Sequence, residues 1–170
     1  SRYYARGSGL DYKVPAFCRD RLGRTYIYYV QDAGAATGSQ DYHLKRFTSE
    51  GQVDNKFPVD SLTNGSLTYF DVISDHVSGN VLKVFSKDSN KKTIKIKVIN
   101  EVVGEIPDEV TLSLEKELLA LAVRNNVFAV VMNSGSPASP SDAYQPVLKL
   151  YKYEGGTIKP LQETVVEMKD

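Results

Sequence analysis

The sequence has no tryptophan, one cysteine, two histidines and two methionines in 170 residues. A single cysteine excludes an internal disulfide framework. Together with two histidines it falls short of the four ligands that a structural zinc site uses. A surplus of one charge is also missing: 21 Lys+Arg stand against 21 Asp+Glu. That balance argues against a general binder of nucleic acid or of an anionic membrane. Long hydrophobic runs are absent, and the longest, Leu118–Val123 and Val127–Met132, stop far short of the ~20 residues of a membrane span. No Gly-x-Ser-x-Gly elbow, P-loop or dinucleotide fingerprint occurs, so neither a serine nucleophile nor a phosphate-binding cofactor is expected. What remains is an ordinary globular composition, 41% apolar and 25% charged, in a chain long enough for a real core.

Strand signals dominate what is present. Thr25–Val30, Leu67–Ile73 and Val127–Met132 are short runs of aromatic and β-branched residues, suited to a pleated buried surface. Thr93–Ile99 alternates, with Ile94, Ile96 and Val98 on one face and Lys95 and Lys97 on the other, the period of a half-buried strand. Val110–Val123 carries Leu112, Leu114, Leu118 and Leu119 among charged residues. Its second half reads as strand, and its first half is compatible with strand or a short helix.

Self-similarity is more informative. Leu44-Lys45-Arg46-Phe47, Leu82-Lys83-Val84-Phe85 and Leu148-Lys149-Leu150-Tyr151 share one pattern, each following a buried-looking strand after a loop. Turns precede those strands at Leu22-Gly23-Arg24, Asn64-Gly65-Ser66 and Asn125-Asn126, residue types that tolerate the positive φ of tight hairpins. The expected unit is a four-stranded antiparallel meander, in three copies at roughly 14–60, 61–100 and 110–165, with an insertion at 101–117. On these residues the chain resembles the β-propeller repeat proteins, whose blades are such meanders. It lacks the Trp-Asp ending and the Gly-His opening of WD repeats, and its Leu-Lys copies are spaced by 38 and 66 residues. The resemblance implies an all-β single unit forming part of a propeller. Because three blades fall short of the ~4 that close a ring, it also implies a larger propeller or a partner chain. A two-sheet β-sandwich is the alternative.

The ends fit that expectation. The chain opens Ser1-Arg2-Tyr3-Tyr4 without Met or an apolar stretch, and Glu163–Asp170 is still strand-like. Both are expected of a processed chain or a fragment of something longer.

Several local patterns point to chemistry and are better explained by structure. Ser74-Asp75-His76 holds the residue types of a hydrolase triad, but on an extended strand Asp75 points away from His76 and cannot orient it. An Asp-led turn explains the run. Asp88-Ser89-Asn90 begins like a calcium loop and then meets Lys91 and Lys92 with no closing Glu. Asn64-Gly65-Ser66 is a glycosylation sequon and equally a turn. The lone cysteine leans the expected compartment toward the cell interior, and the sequon leaves secretion open. Cys18, in Ala16-Phe17-Cys18, reads as a small strand residue. Lys83–Lys97 carries a local excess of positive charge and Glu101–Glu117 of negative charge, the pattern of solvated sheet edges.

The functional expectation is a non-enzymatic interaction module that binds through loops on one face of the partial propeller. Gln31–Asp41, Ser74–Asn80 and Asn133–Gln145 are read as sharing that face. Asp41, Tyr42, Asp75, His76, Asp142 and Tyr144 are the candidate binding residues, because acid and tyrosine together can hydrogen-bond and stack. The expected partner is another polypeptide or the remainder of the chain's own propeller, with no nucleic acid and no membrane insertion. The alternatives are a carbohydrate-binding lectin-like or adhesin domain using the same loops, and part of a larger propeller enzyme.

Overall fold

The computed structural model describes residues 15–32, 40–57, 63–64, 67–75, 77–100, 104–133 and 146–165. These residues are almost wholly strand. In chain order the strands are β1 (Ala16–Arg19), β2 (Thr25–Asp32), β3 (Gln40–Phe47), β4 (Thr63–Asn64), β5 (Leu67–Ser74), β6 (Val81–Lys87), β7 (Thr93–Asn100), β8 (Gly104–Ser113), β9 (Leu118–Arg124), β10 (Val127–Asn133), β11 (Pro146–Glu154) and β12 (Thr157–Val165). One 3-10 turn, Asp88–Asn90, is the helical element among the described residues. It occupies the segment that resembled a calcium loop.

The strands form three antiparallel four-stranded sheets, each a meander in chain order: β1–β4, β5–β8 and β9–β12. Their first strands begin at Ala16, Leu67 and Leu118, two steps of 51 residues. Thus each sheet has the strand number read from the sequence, while the phase of the middle one differs. Leu67–Ser74 is the first strand of sheet 2, not its second. Asn64 pairs with Asp41 in sheet 1, while Leu67 opens sheet 2; Gly65 and Ser66 of the expected turn lie outside the described residues. The expected insertion at 101–117 contains β8, the fourth strand of sheet 2.

Two apolar layers hold the sheets together. Tyr26, Tyr28, Tyr42 and Leu44 of sheet 1 pack with Phe70, Val72, Val81, Phe85 and Ile99 of sheet 2. Leu82, Val84, Ile94, Ile96 and Leu112 of sheet 2 pack with Phe128, Val130, Met132 and Tyr153 of sheet 3. Full burial of each such side chain contributes roughly 1.5–3 kcal/mol, so these layers are the main stabilising force. Sheet 2 is covered on both sides. In β6 every residue from Val81 to Ser86 is buried, because alternate side chains enter opposite layers. The first strands also line up, β1 lying against β5 and β5 against β9. Each sheet therefore has a rear face toward its predecessor and a forward face toward its successor.

The motif residues divide along the same lines. Leu44, Leu82 and Phe85 are buried, whereas Phe47, Leu148 and Tyr151 are half-buried. Charge is managed at the edge of sheet 2, where Lys97 sits opposite Glu109 and Lys95 Nζ reaches Glu109 Oε1 at 2.6 Å. The lysine and acid stripes thus meet each other on neighbouring strands.

Candidate functional site

The turns that follow the first strands of sheets 1 and 2 are built on the same device. After β1, Asp20 Oδ1 accepts from the backbone N–H of Leu22 (2.9 Å) and Arg24 (3.0 Å), and Oδ2 from Arg24 Nε (2.7 Å). After β5, Asp75 Oδ1 accepts from the N–H of Val77 (3.0 Å), and Oδ2 from the hydroxyl of Ser78 (2.5 Å). An aspartate that caps backbone donors two to four residues ahead fixes the chain reversal. After β9 the solution differs. Asn125 and Asn126 both take positive φ, +48° and +62°, between the paired residues Arg124 and Val127. That is a two-residue type I′ hairpin.

The three turns come together. Asn126 Nδ2 donates to Asp75 Oδ1 at 2.6 Å, and Gly79, at φ +80°, lies against the Arg21 guanidinium, which a Cβ there would have to displace. Tyr153 N–H donates to the Asn126 carbonyl at 2.8 Å. Asp75 is 3% exposed. Burial alone would raise its pKa, but the hydrogen bonds from Ser78, Asn126 and the N–H groups of Val77 and Ser78 outweigh it and hold the carboxyl below its ordinary range. The Tyr153 hydroxyl is pushed up, first by burial and then by the Asp75 charge. Asn126 Oδ1 is buried and has no protein donor.

This cluster corrects the expected face. Ser74–Asn80 joins the first and second strands of sheet 2, and it meets the turns at Arg21 and Asn126. Strands β2 and β10 start at those turns and run away from them to Asp32 and Asn133. The chain therefore leaves for 33–39 and 134–145 from the opposite strand ends.

Of the candidate binding residues, Tyr42 is fully buried. Its ring sits edge-on to Tyr28 and Phe70, with centroids 6.2 and 5.0 Å away, and its hydroxyl accepts from Leu67 N–H at 3.3 Å. It ties sheet 1 to sheet 2 and does not present itself to a ligand. Asp75 is likewise occupied within the turn cluster. Asp41 lies in β3 opposite Gln31 and Asn64. His76, Asp142 and Tyr144 lie outside the described residues. Nor does Cys18 offer a reactive thiol, since its side chain packs on the first apolar layer. Burial, then the charges of Asp71 and Asp20, push its pKa up. Among the described residues no group of three His, Cys, Asp or Glu is placed to hold a metal ion.

No protein-family model matches this chain, and no curated protein matches its sequence. The surface therefore has to speak for itself, and its most unusual parts are the two end faces of the stack. On the forward face of sheet 3, neighbouring strands place Ala122 beside Ala129 beside Leu150, and Ala120 beside Val131 beside Leu148. Ala120 and Ala122 are exposed and the others half-buried. No described strand covers them. On the rear face of sheet 1, Phe17 is 60% exposed beside Ile27, Tyr29 stacks on His43 at 5.7 Å, and Lys45 Nζ lies 5.9 Å from the Tyr29 ring centre. Sequence reasoning looked to loops and missed both faces. The signal was available in Ala120, Ala122 and Ala129, small residues at the alternate positions where strands of a solvated face carry polar ones.

Proposed function

We propose that the chain is a non-enzymatic interaction module, an arc of a β-propeller, that works by binding another polypeptide. The observation that carries this reading is the forward face of sheet 3. The equivalent faces of sheets 1 and 2 are each covered by the next sheet, whereas this one, apolar along its middle and bordered by Arg124 and Lys152, meets no described strand. A continuous apolar patch on a protein surface marks a place where something binds. The propeller reading is supported by the order of the stack, since successive four-stranded meanders with adjacent first strands are the arrangement of neighbouring blades.

Hydroxyl-radical footprinting of the protein in its native assembly tests the proposal. Leu148 and Leu150 are expected to be protected, in a particle heavier than the 18.9 kDa of the chain. A native 18.9 kDa particle whose Leu148 and Leu150 oxidise as fast as in the unfolded chain would overturn it.

A further inference from the structure

We propose that the end of the stack where the first-strand turns gather is a second recognition surface, separate from the forward face of sheet 3, which takes an acidic segment of another polypeptide. Apolar side chains of that segment rest on Leu22 and Val77, and its carboxylates meet Arg21 and Arg124.

Tips of surface turns are ordinarily polar or glycine. Ser49-Glu50-Gly51, Ser89-Asn90, Glu115-Lys116-Glu117 and Gly155-Gly156 follow that rule. The turns after β1 and β5 break it. Val77 is 82% exposed and Leu22 61%, the two highest values among the described large apolar side chains. At such exposure neither gains burial that would stabilise the fold. One exposed leucine needs no explanation, but these two stand on turns already in contact. Arg21, next to Leu22, lies against Gly79, two residues beyond Val77. Both tips are also held in place. The N–H of Leu22 donates to Asp20 Oδ1 and that of Val77 to Asp75 Oδ1, and both aspartates are buried. Apolar groups fixed before contact lose little conformational freedom on binding.

Charge selects the partner. All five arginines among the described residues, Arg19, Arg21, Arg24, Arg46 and Arg124, lie toward this end of their strands or in its turns. Arg24 and Arg46 already hold Asp20 and Asp54, and Arg19 Nε donates to the Gly23 carbonyl. Arg21 and Arg124 are exposed and pair with no carboxylate among the described residues. The Asn126–Asp75 contact keeps the third turn beside the second, so Arg124 stands at the corner between this end and the forward face. A guanidinium matches a carboxylate with two parallel hydrogen bonds. Asp20 and Asp75 do not oppose an incoming acid as surface carboxylates would, because both are buried and engaged by the turns. Glu50 and Glu154 are exposed farther out, beyond the ends of β3 and β2's equivalent in sheet 3. A flat anionic bilayer would meet those two acids as well, whereas a peptide is narrow enough to cross the first-strand turns alone.

Selection of a random linear-peptide library, displayed on phage, against the purified chain is the test. The selected peptides are expected to combine Asp or Glu with Leu, Ile or Phe, and to bind more weakly as salt is raised. Leu22→Ser and Val77→Ser should each weaken a selected peptide at least about fivefold, and Arg21→Gln with Arg124→Gln at least about tenfold. Urea midpoints of the two serine variants should match the wild type. Ala122→Glu, on the forward face, should leave the peptide bound. Peptides without acidic residues, an affinity indifferent to Leu22→Ser and Val77→Ser, or a library that yields no binder would overturn the proposal. Release by Ala122→Glu but not by Val77→Ser would put the peptide on the forward face; this surface then falls while the interaction-module reading stands. Vesicles of equal parts phosphatidylcholine and phosphatidylserine that bind the wild type but not Val77→Ser would make the end a membrane contact, and likewise overturn the proposal.

Discussion

The amide of Asn126 donates to the carboxylate of Asp75 across 51 positions of sequence, with Nδ2 2.6 Å from Oδ1. The donor sits in the first hairpin of sheet 3 and the acceptor in the first turn of sheet 2, so one buried contact sets two sheets relative to each other. A carboxylate with several donors and little access to water is costly to remove, because each donor left behind keeps its desolvation penalty.

Asp75→Ala is therefore expected to lower stability by about 3 kcal/mol, and Asn126→Ala by less, read from urea midpoints. The pH dependence has a definite sign. A carboxyl held below its ordinary value in the folded state stabilises the fold above the unfolded value of about 3.9. That contribution is lost as pH falls through the folded value. The wild-type midpoint should be flat from pH 7 to about 5 and then fall. Asp75→Asn should start lower and fall less steeply, and an equal slope in both proteins would refute the assignment.

Phe85 and Phe47 occupy the same place in their motifs and should behave differently. Phe85 is 3% exposed in the first apolar layer, and Phe85→Ala should cost on the order of 3–5 kcal/mol. Phe47 is half-buried on the rear face of sheet 1, and Phe47→Ala should cost about 1 kcal/mol. Equal losses in denaturant melts would mean that the rear face of sheet 1 is as well covered as the layers.

Gly79 and Gly51 separate backbone strain from crowding. Both have positive φ, +80° and +84°, but a Cβ at Gly51 meets nothing while one at Gly79 runs into the Arg21 guanidinium. Alanine at either position should cost roughly 1–2 kcal/mol for the left-handed backbone. Gly79→Ala should lose somewhat more, and Arg21→Ala in the same chain should remove that excess. An unchanged difference in the double variant would place Arg21 elsewhere in solution.

Cys18 should label slowly. Its thiol is pushed toward the neutral form by burial and by two nearby carboxylates, and the thiolate is the reacting species. The labelling rate with a thiol reagent at pH 8 is expected to follow the fraction unfolded as urea is added. Fast labelling of the native chain would contradict the packing of β1.

The sequence showed the four-stranded units and their number, because alternation of apolar and polar residues reports burial directly. It did not show phase. Leu44-Lys45-Arg46-Phe47 and Leu148-Lys149-Leu150-Tyr151 lie on third strands, but Leu82-Lys83-Val84-Phe85 lies on a second strand. A strand's pattern says how many of its faces are covered, not its order in the sheet. Residues i and i+3 of a strand point to opposite faces, so the leucine and the aromatic of one motif are both buried only in sheet 2. Likewise β8 looked like an insertion because an edge strand carries acid residues such as Glu109. Tyr42 looked like a loop residue because what buries it, Phe70, belongs to another sheet. The end faces escaped for a related reason: an alanine on a strand reads as neutral until its cross-strand neighbours are known.

The double burial of β6 makes the middle of the molecule answerable to both sides at once. Val81, Lys83 and Phe85 belong to one layer and Leu82 and Val84 to the other, so a strand shift of a fraction of an ångström to suit one layer misplaces side chains in the second. Such a strand has no solvent face on which to absorb error. Local opening of β6 would have to break both layers, so its amides should exchange with water only as fast as the whole chain unfolds. The three sheets then lose structure as one cooperative unit, unlike a row of semi-independent repeats that frays from its ends.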